Sequence, residues 1–249
     1  MGIQEVCLAM KFVQPCQEGS LEKRSAAHGQ PQEFSQLPIG FYSGRLSSLS
    51  GGEPNLTVLS IQALSKTYGA IRALQDVSIE VPVGSIFGIL GPNGSGKTSL
   101  LGVVLGILSA SQGGFRWQQG LKRAALLETA NFYPYLSGAD NLAVVAQIRG
   151  QGREQIASVL VQVGLDKHPK LPFQKYSLGM KQRLAIGACL MGDPDVVVLD
   201  EPTNGLDPSG IADVRDLIRD LGQRGRTVLL ASHLLDEVEK VCSHVAILK

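Results

Sequence analysis

Hydrophobic and polar residues alternate in two segments that follow residue 56, and this period of two predicts strands with one buried face. The small or apolar side chains at every second position are Leu59, Ile61 and Ala63 in the first segment and Val77, Ile79 and Val81 in the second. Strands with one polar face pair most simply in an antiparallel sheet. We therefore expect ordered structure to begin near Thr57, with an antiparallel sheet at the edge of the fold.

Continuous apolar runs replace this alternation from residue 85 onward. They cover residues 85–90, 196–199 and 228–231. Runs of this kind are typical of parallel strands whose two faces are both covered. The pattern therefore predicts a mostly parallel sheet buried between layers of helices.

Helical spacing of apolar residues occurs between these runs. Leucine and valine share one face over residues 101–108, and apolar residues do the same over 211–221, where charged residues fill the opposite side. A further helical section is expected over about 136–178. Together with the strands, these segments predict an α/β fold that has an antiparallel edge subdomain and a helical subdomain.

The first 55 residues differ in composition from the rest of the chain. Ser, Gly, Pro and Gln occupy 24 of these 55 positions, without helical or strand periodicity. A segment of this composition buries too little apolar area to offset the entropy lost on ordering. We expect residues 1–55 to be a disordered leader or a mis-called start, and residues 56–249 to form the domain.

The overall charge excludes one class of function. The chain has 23 Lys and Arg against 22 Asp and Glu, a net charge of +1, so no basic excess indicates a nucleic-acid coat. No apolar run reaches the roughly 18 residues that a membrane-spanning helix needs. We therefore expect neither direct nucleic-acid binding nor a membrane-spanning helix.

The clearest motif follows the first apolar run and consists of Gly91, Pro92, Asn93, Gly94, Ser95, Gly96, Lys97 and Thr98. It fits the pattern G-x-x-x-x-G-K-[ST] between a buried strand and an amphipathic helix. Glycines let backbone N–H groups approach a phosphate, and the amino terminus of a helix adds partial positive charge. The motif predicts ATP binding, with Lys97 on the phosphates and Thr98 on Mg²⁺.

Two carboxylates end the second apolar run, at Asp200 and Glu201. Parallel sheets bind their ligands at the carboxyl ends of the strands. Asp200 is a candidate Mg²⁺ ligand, and Glu201 is a candidate general base for an attacking water. An Asp-Glu pair alone also begins many helices, but the phosphate motif favours the catalytic interpretation.

The order of these motifs resembles that of ABC ATPases, the nucleotide-binding domains of ATP-binding-cassette systems. The resemblance covers about residues 57–249. It rests on the phosphate motif, a signature segment at 176–183, the strand with its carboxylates at 195–201, and His233 after a further strand.

The resemblance implies roles for further residues. Tyr68 corresponds to the aromatic residue that stacks on adenine, His233 to a histidine that contacts the γ-phosphate, and Asp207 to the acid of a loop that links two nucleotide sites. Ser177 and Gly179 retain the signature, whereas Tyr176, Leu178 and Met180 depart from its usual form.

Glu128 stands where most relatives carry a glutamine that senses Mg²⁺ and the attacking water, so the resemblance makes it a candidate metal ligand. This departure and the signature are typical of the drug- and bacitracin-resistance branch of exporter ATPases. Segment 128–137 would then receive the membrane subunit, although an equally good interpretation of its aromatic and proline cluster, 132–135, is a local turn packed on the helical section.

The implied partners are a membrane permease and a second cassette, most simply a second copy of this chain. The protein would then be cytoplasmic and held at the inner face of the membrane by the permease. Two alternatives stay open: a soluble ABC ATPase that acts on ribosomes or DNA, and a non-functional cassette. The second arises because the chain stops inside a predicted strand at 243–249, where relatives continue, so the sequence resembles a truncated cassette.

Overall fold

The α/β fold is confirmed by a computed structural model, which describes residues 56–127, 131–168 and 170–249. The strands in order are β1 (Thr57–Tyr68), β2 (Ile71–Pro82), β3 (Ile86–Leu90), β4 (Gln112–Trp117), β5 (Arg123–Leu126), β6 (Val196–Asp200), β7 (Thr227–Ser232) and β8 (His244–Ile247). The helices are α1 (Lys97–Val104), α2 (Gly138–Ile148), α3 (Ile156–Gln162), α4 (Leu178–Leu190), α5 (Pro208–Gln223) and α6 (Leu235–Val241). The predicted leader at 1–55 lies outside the described residues, and the proposed domain boundaries stay predictions.

The central sheet is parallel and has the strand order β5-β6-β7-β3-β8. Its strands are continuous apolar runs because other elements pack on both faces of the sheet. In β6, Val197 and Leu199 pack in the core formed with helices α2 to α6, whereas Val196 and Val198 pack in a second core with α1 and the antiparallel sheet. Each residue of such a strand therefore contributes buried apolar area.

The antiparallel sheet has the order β2-β1-β4 and lies where the alternating pattern placed it. The prediction that Ala63 shares the buried face of β1 is wrong: Ala63 is exposed, and Leu64 is fully buried. The cause is a β-bulge after Ile61, where Ala63 takes a φ of 48° and the pairing register shifts. The extra residue moves the buried side chain from Ala63 to Leu64, and two further register shifts follow before the strand ends.

Helix α1 is shorter than the apolar spacing over 101–108 suggested. It ends at Val104, whose carbonyl accepts a hydrogen bond from Trp117 Nε1 at 2.7 Å. Gly106 follows with a φ of 73°, and the amides of Ile107 and Leu108 both donate to the Gly102 carbonyl. The chain thus turns back at a left-handed glycine, as is common where helices end.

None of the helices in the described ranges is long and apolar enough to cross a bilayer.

Three neighbouring strands end at one edge of the central sheet and so place the candidate site. Leu90 at the end of β3 pairs with Ser232 of β7, and Asp200 at the end of β6 pairs with Ala231. The residues that follow these strands therefore meet at the carboxyl edge of the sheet, which is where sheets of this class bind ligands.

Candidate functional site

The phosphate loop runs from Gly91 to Gly96 between β3 and α1. Gly96 precedes the helix with a φ of 92°, and a Cβ atom there would lie 2.3 Å from the Ala73 carbonyl. Only glycine fits this position, because the conformation is left-handed and β2 lies directly against the backbone. Gly94 has a φ of 88° with open space beside it. The loop is therefore seated on β2 while its other side is open to a ligand.

Lys97 is buried, with 5% of its surface exposed. Its ammonium group links the phosphate loop to Glu201 at the carboxyl edge of the sheet. It donates to the carbonyls of Gly91 at 2.8 Å and Pro92 at 3.1 Å. It also lies 3.2 Å from Glu201 Oε1. A buried ammonium needs several partners, and phosphate oxygens can replace them because they are stronger acceptors.

Thr98 and Asp200 bring two oxygen atoms together across the edge of the sheet. The hydroxyl of Thr98 donates to Asp200 Oδ2 at 2.7 Å. Hydroxyl and carboxylate oxygens are the ligands that Mg²⁺ takes beside nucleotide phosphates, so this pair fits such an ion. The third predicted ligand, Glu128, lies outside the described residues.

Glu201 occupies a strained position between two partners. Its φ is 48°, unusual for a residue with a side chain, and its amide donates to the Ala231 carbonyl at 2.9 Å. His233 Nδ1–H donates to Glu201 Oε2 at 2.7 Å, while Lys97 lies at the other carboxylate oxygen. The contacts with Ala231, His233 and Lys97 hold this strained residue in place, so its carboxylate faces residues that follow β3 and β7.

Tyr68, the predicted adenine platform, lies beside the first turn of α1. Its hydroxyl is 3.5 Å from Ser99 Oγ, and 44% of its surface is exposed. The ammonium of Lys66 lies 4.9 Å from the ring centroid. An exposed ring next to the phosphate loop is therefore present where the sequence suggested one.

Ser177, Gly179 and Asp207 form a second group, at the starts of α4 and α5. Ser177 Oγ accepts from the Met180 amide, and Asp207 accepts from the Gly210 amide, so each begins a helix. Hydrogen bonds from the Ser209 hydroxyl and then from Gly210 hold the pKa of Asp207 below its usual value. A Cβ on Gly179 would lie 3.3 Å from Gly210 Cα, so the two helices touch through glycine.

Sequence reasoning missed the buried Asn141, which organises the segment before α2. Its side chain accepts from the Tyr133 amide at 2.8 Å and donates to the carbonyls of Tyr133, Leu136 and Ser137. Backbone amides of Phe173 and Gln174 also donate to this segment, at Leu136 and Pro134, while Tyr135 is 68% exposed. A polar residue on the apolar side of a predicted helix was the available signal, since such a residue needs partners.

The geometry defines a P-loop nucleotide-binding protein of the helix-covered parallel-sheet class. The family model described as ABC transporter matches residues 74–204. Because this match covers more than half of the chain, and relatives more than 30% identical support it, the chain belongs to the ABC transporter family as an ATP-binding cassette of the ATPase type.

Three relatives illustrate the match. The uncharacterised ABC transporter ATP-binding protein YdbJ of Bacillus subtilis is 40% identical over 204 residues, which cover 77% of this chain and 66% of YdbJ. The lantibiotic transport ATP-binding protein SrtF of Streptococcus pyogenes is 37% identical over 76% of this chain and 85% of SrtF. The bacitracin transport ATP-binding protein BcrA of Enterococcus faecalis is 35% identical over 77% of this chain and 66% of BcrA. The chain thus spans slightly less than two thirds of YdbJ and BcrA, and more of SrtF.

Solved structures support the same fold. The cassette cbiO1 of Clostridium perfringens, part of the transporter complex cbiONQ, has a TM-score of 0.69 and 25% identity, and covers 78% of this chain and 85% of its own. The cassette MJ0796, a dimer bound to ADP and Pi, has a TM-score of 0.66 and 21% identity, and covers 77% of this chain and 94% of its own.

Proposed function

We propose that this chain binds ATP with Mg²⁺ and hydrolyses it as the motor subunit of an ABC exporter. The observation that carries the proposal is the meeting of Lys97, Glu201 and His233, which follow three different strands and touch at 3.2 Å and 2.7 Å. Such a junction places a phosphate-binding cation, a carboxylate and an orienting histidine at one edge of the sheet.

The residues take complementary roles in the proposed reaction. Lys97 and the loop amides bind the phosphates, and Tyr68 stacks on the base. Thr98 and Asp200 would hold Mg²⁺, which would supply charge neutralisation at the phosphates. Glu201 takes a proton from the water that attacks the terminal phosphorus, while the bond to the β-phosphate breaks and ADP leaves. His233 orients Glu201 through the Nδ1–H bond.

The contact between Lys97 and Glu201 has a consequence for this cycle. Bound phosphates compete for the ammonium of Lys97, since they carry more charge than the carbonyls of Gly91 and Pro92. Movement of Lys97 toward them leaves the carboxylate of Glu201 to water and to His233. We therefore propose that nucleotide binding prepares the base.

A second copy of the chain would complete the site with Ser177, Gly179 and Asp207. Their positions at the amino-terminal ends of α4 and α5 support this, because such ends favour phosphate oxygens. The dimeric cassette MJ0796 is a precedent with the same fold. Closure on ATP and reopening after hydrolysis would then drive the permease.

The segment 131–137 is the proposed contact with the permease at the inner face of the membrane. Asn141 fixes its backbone, and Tyr135 projects from it. The relatives SrtF and BcrA, named for transport of a lantibiotic and of bacitracin, support a transport role.

Asn141→Ala tests whether the segment 131–137 can be destabilised without a change at the nucleotide site. The variant leaves the Tyr133 amide without its partner and removes one of the two hydrogen bonds of three carbonyls, so we expect unfolding to become easier by about 1–3 kcal/mol. ADP affinity should stay within about twofold of the parent value, because none of the side-chain hydrogen bonds of Asn141 involves the phosphate loop. Calorimetry and thermal melts measure both quantities, and Gln147→Ala, at an exposed position of the same helix α2, is the control. A large loss of ADP affinity would contradict the separation.

The function itself is tested by trapping. Glu201→Gln with ATP and Mg²⁺ should remain closed and retain, from gently solubilised cells, a polytopic membrane protein in stoichiometric amount. The retention should be lost in Lys97→Met, which cannot hold ATP, and in Tyr135→Asp, which alters only the contact segment. Recovery of ribosomes or DNA-bound factors instead of a membrane protein would favour the soluble alternative.

A further inference from the structure

Lys66 lies against one face of the Tyr68 ring at the end of β1. The two residues are two positions apart in a strand and so project on the same side. The Lys66 ammonium is 4.9 Å from the ring centroid and donates to the Ser109 carbonyl at 2.7 Å. A cation at this distance over an aromatic face is attracted by the ring quadrupole.

The neighbouring backbone fixes this arrangement. Between Lys66 and Tyr68, the Thr67 amide donates to Ser111 Oγ at 3.0 Å, and its hydroxyl lies 3.1 Å from the same atom. The segment 109–111 therefore binds both the lysine and the residue beside it. Lys66 is not a freely moving surface charge but is held by a neutral carbonyl.

The ring lies beside the helix that follows the phosphate loop. Its hydroxyl is 3.5 Å from Ser99 Oγ in the first turn of α1, two residues after Lys97. With Lys66 over one face of a residue that is 44% exposed, the opposite face is the candidate surface for a planar ligand. A nucleotide whose phosphates lie on that loop would bring its base to this face.

We propose that Lys66 is a positioning residue for the base of the bound nucleotide, which it serves through Tyr68. The ammonium holds the ring in one orientation before the ligand arrives, so less freedom is lost on binding. It also draws π-electron density toward its own face, which makes the opposite face a better partner for an electron-rich purine. This inference rests on the proposed role of Tyr68 as the base platform.

A direct action on phosphate is the competing explanation, because any lysine near the site attracts anions. The two explanations differ in the ligand they need. If the lysine acts through the ring, its loss weakens ADP binding and leaves pyrophosphate binding unchanged, since pyrophosphate lacks a base. If it acts by its charge, its loss weakens the binding of both ligands alike.

The experiment measures the dissociation constants of ADP and inorganic pyrophosphate by calorimetry for Lys66→Met, Tyr68→Ala and the double variant. Lys66→Met should weaken ADP about 3- to 10-fold and change pyrophosphate less than about 2-fold. In the Tyr68→Ala background it should have no further effect, because the ring through which it acts is gone. Lys66→Arg should restore ADP affinity, since a guanidinium also stacks on aromatic faces.

Lys122→Met, at an exposed lysine before β5, is the matched control for lost charge and should bind both ligands as the parent does. Equal weakening of ADP and pyrophosphate by Lys66→Met would overturn the inference in favour of a direct charge effect. If Tyr68→Ala weakens ADP while Lys66→Met does not, the inference fails and the platform role of Tyr68 stands. If Tyr68→Ala leaves ADP affinity unchanged, the platform role fails and the inference fails with it.

Discussion

Glu201→Gln is expected to lower the rate of ATP hydrolysis by about 10²- to 10⁴-fold, the usual contribution of a positioned general base. The amide has the size and shape of the carboxylate but cannot accept the proton of the attacking water. ADP affinity should change by less than about 3-fold, since the substitution removes only the competition between Glu201 and the phosphates for Lys97. Phosphate release and calorimetry measure the two quantities.

The structure explains why the loss should be confined to the chemical step. Glu201 lies between Lys97 at 3.2 Å and His233 at 2.7 Å, and glutamine retains an oxygen that can accept from His233 Nδ1–H. Glu239→Gln, on the exposed side of α6, is the matched control and should hydrolyse ATP at the parent rate. More than a tenth of the parent activity in Glu201→Gln would show that another group takes the proton.

Lys97→Met is expected to weaken ADP binding by at least about 30-fold, because loss of a buried charged partner costs 2–5 kcal/mol. The methionine side chain has a similar length but offers neither charge nor donors to the phosphates. Hydrolysis at moderate ATP concentrations should be lost with binding. Calorimetry with ADP gives the affinity directly, and Lys122→Met is again the control.

The same substitution should leave folding almost unchanged, which separates binding from stability. Lys97 is 5% exposed, so the ammonium has lost most of its hydration in return for contacts with two carbonyls and Glu201. A methionine avoids that desolvation cost, and water can replace the ammonium at the exposed Pro92 and at Glu201, whose side chain is 21% exposed. We expect the melting temperature to stay within about 3 °C of the parent. A large drop, together with weak binding, would mean that the lysine holds the loop together instead.

The sequence predicted much of the candidate site because its parts lie in short segments with strong local rules. The phosphate loop is a continuous motif, and Asp200 and Glu201 directly follow a buried strand. Their meeting with His233 follows from one further fact, that parallel strands end at the same edge of a sheet. The contact between Lys97 and Glu201, which lie 104 positions apart, has no signal in either segment.

The edge of the fold was harder to predict for a physical reason. Alternation in β1 indicated the strand but placed Ala63 on the wrong face, because a bulge depends on the partner strand and not on the residues of β1 alone. The Ala63 amide donates to Ser78 Oγ of β2, and Gly113 of β4 leaves room for the Ala63 carbonyl. Helix α1 likewise ends where Trp117 of β4 bonds its last carbonyl.

By itself the sequence determined the α/β class and the family, and it predicted the candidate residues for the nucleotide chemistry. These depend on periodicity and on motifs that act within a few neighbouring residues. Only the tertiary structure decided which of those residues touch, where β1 changes face, that Asn141 fixes the segment before α2, and that Lys66 covers one face of Tyr68. Such contacts join residues on different elements or different faces, and their free energies come from burial and pairing that arise only when the elements have packed.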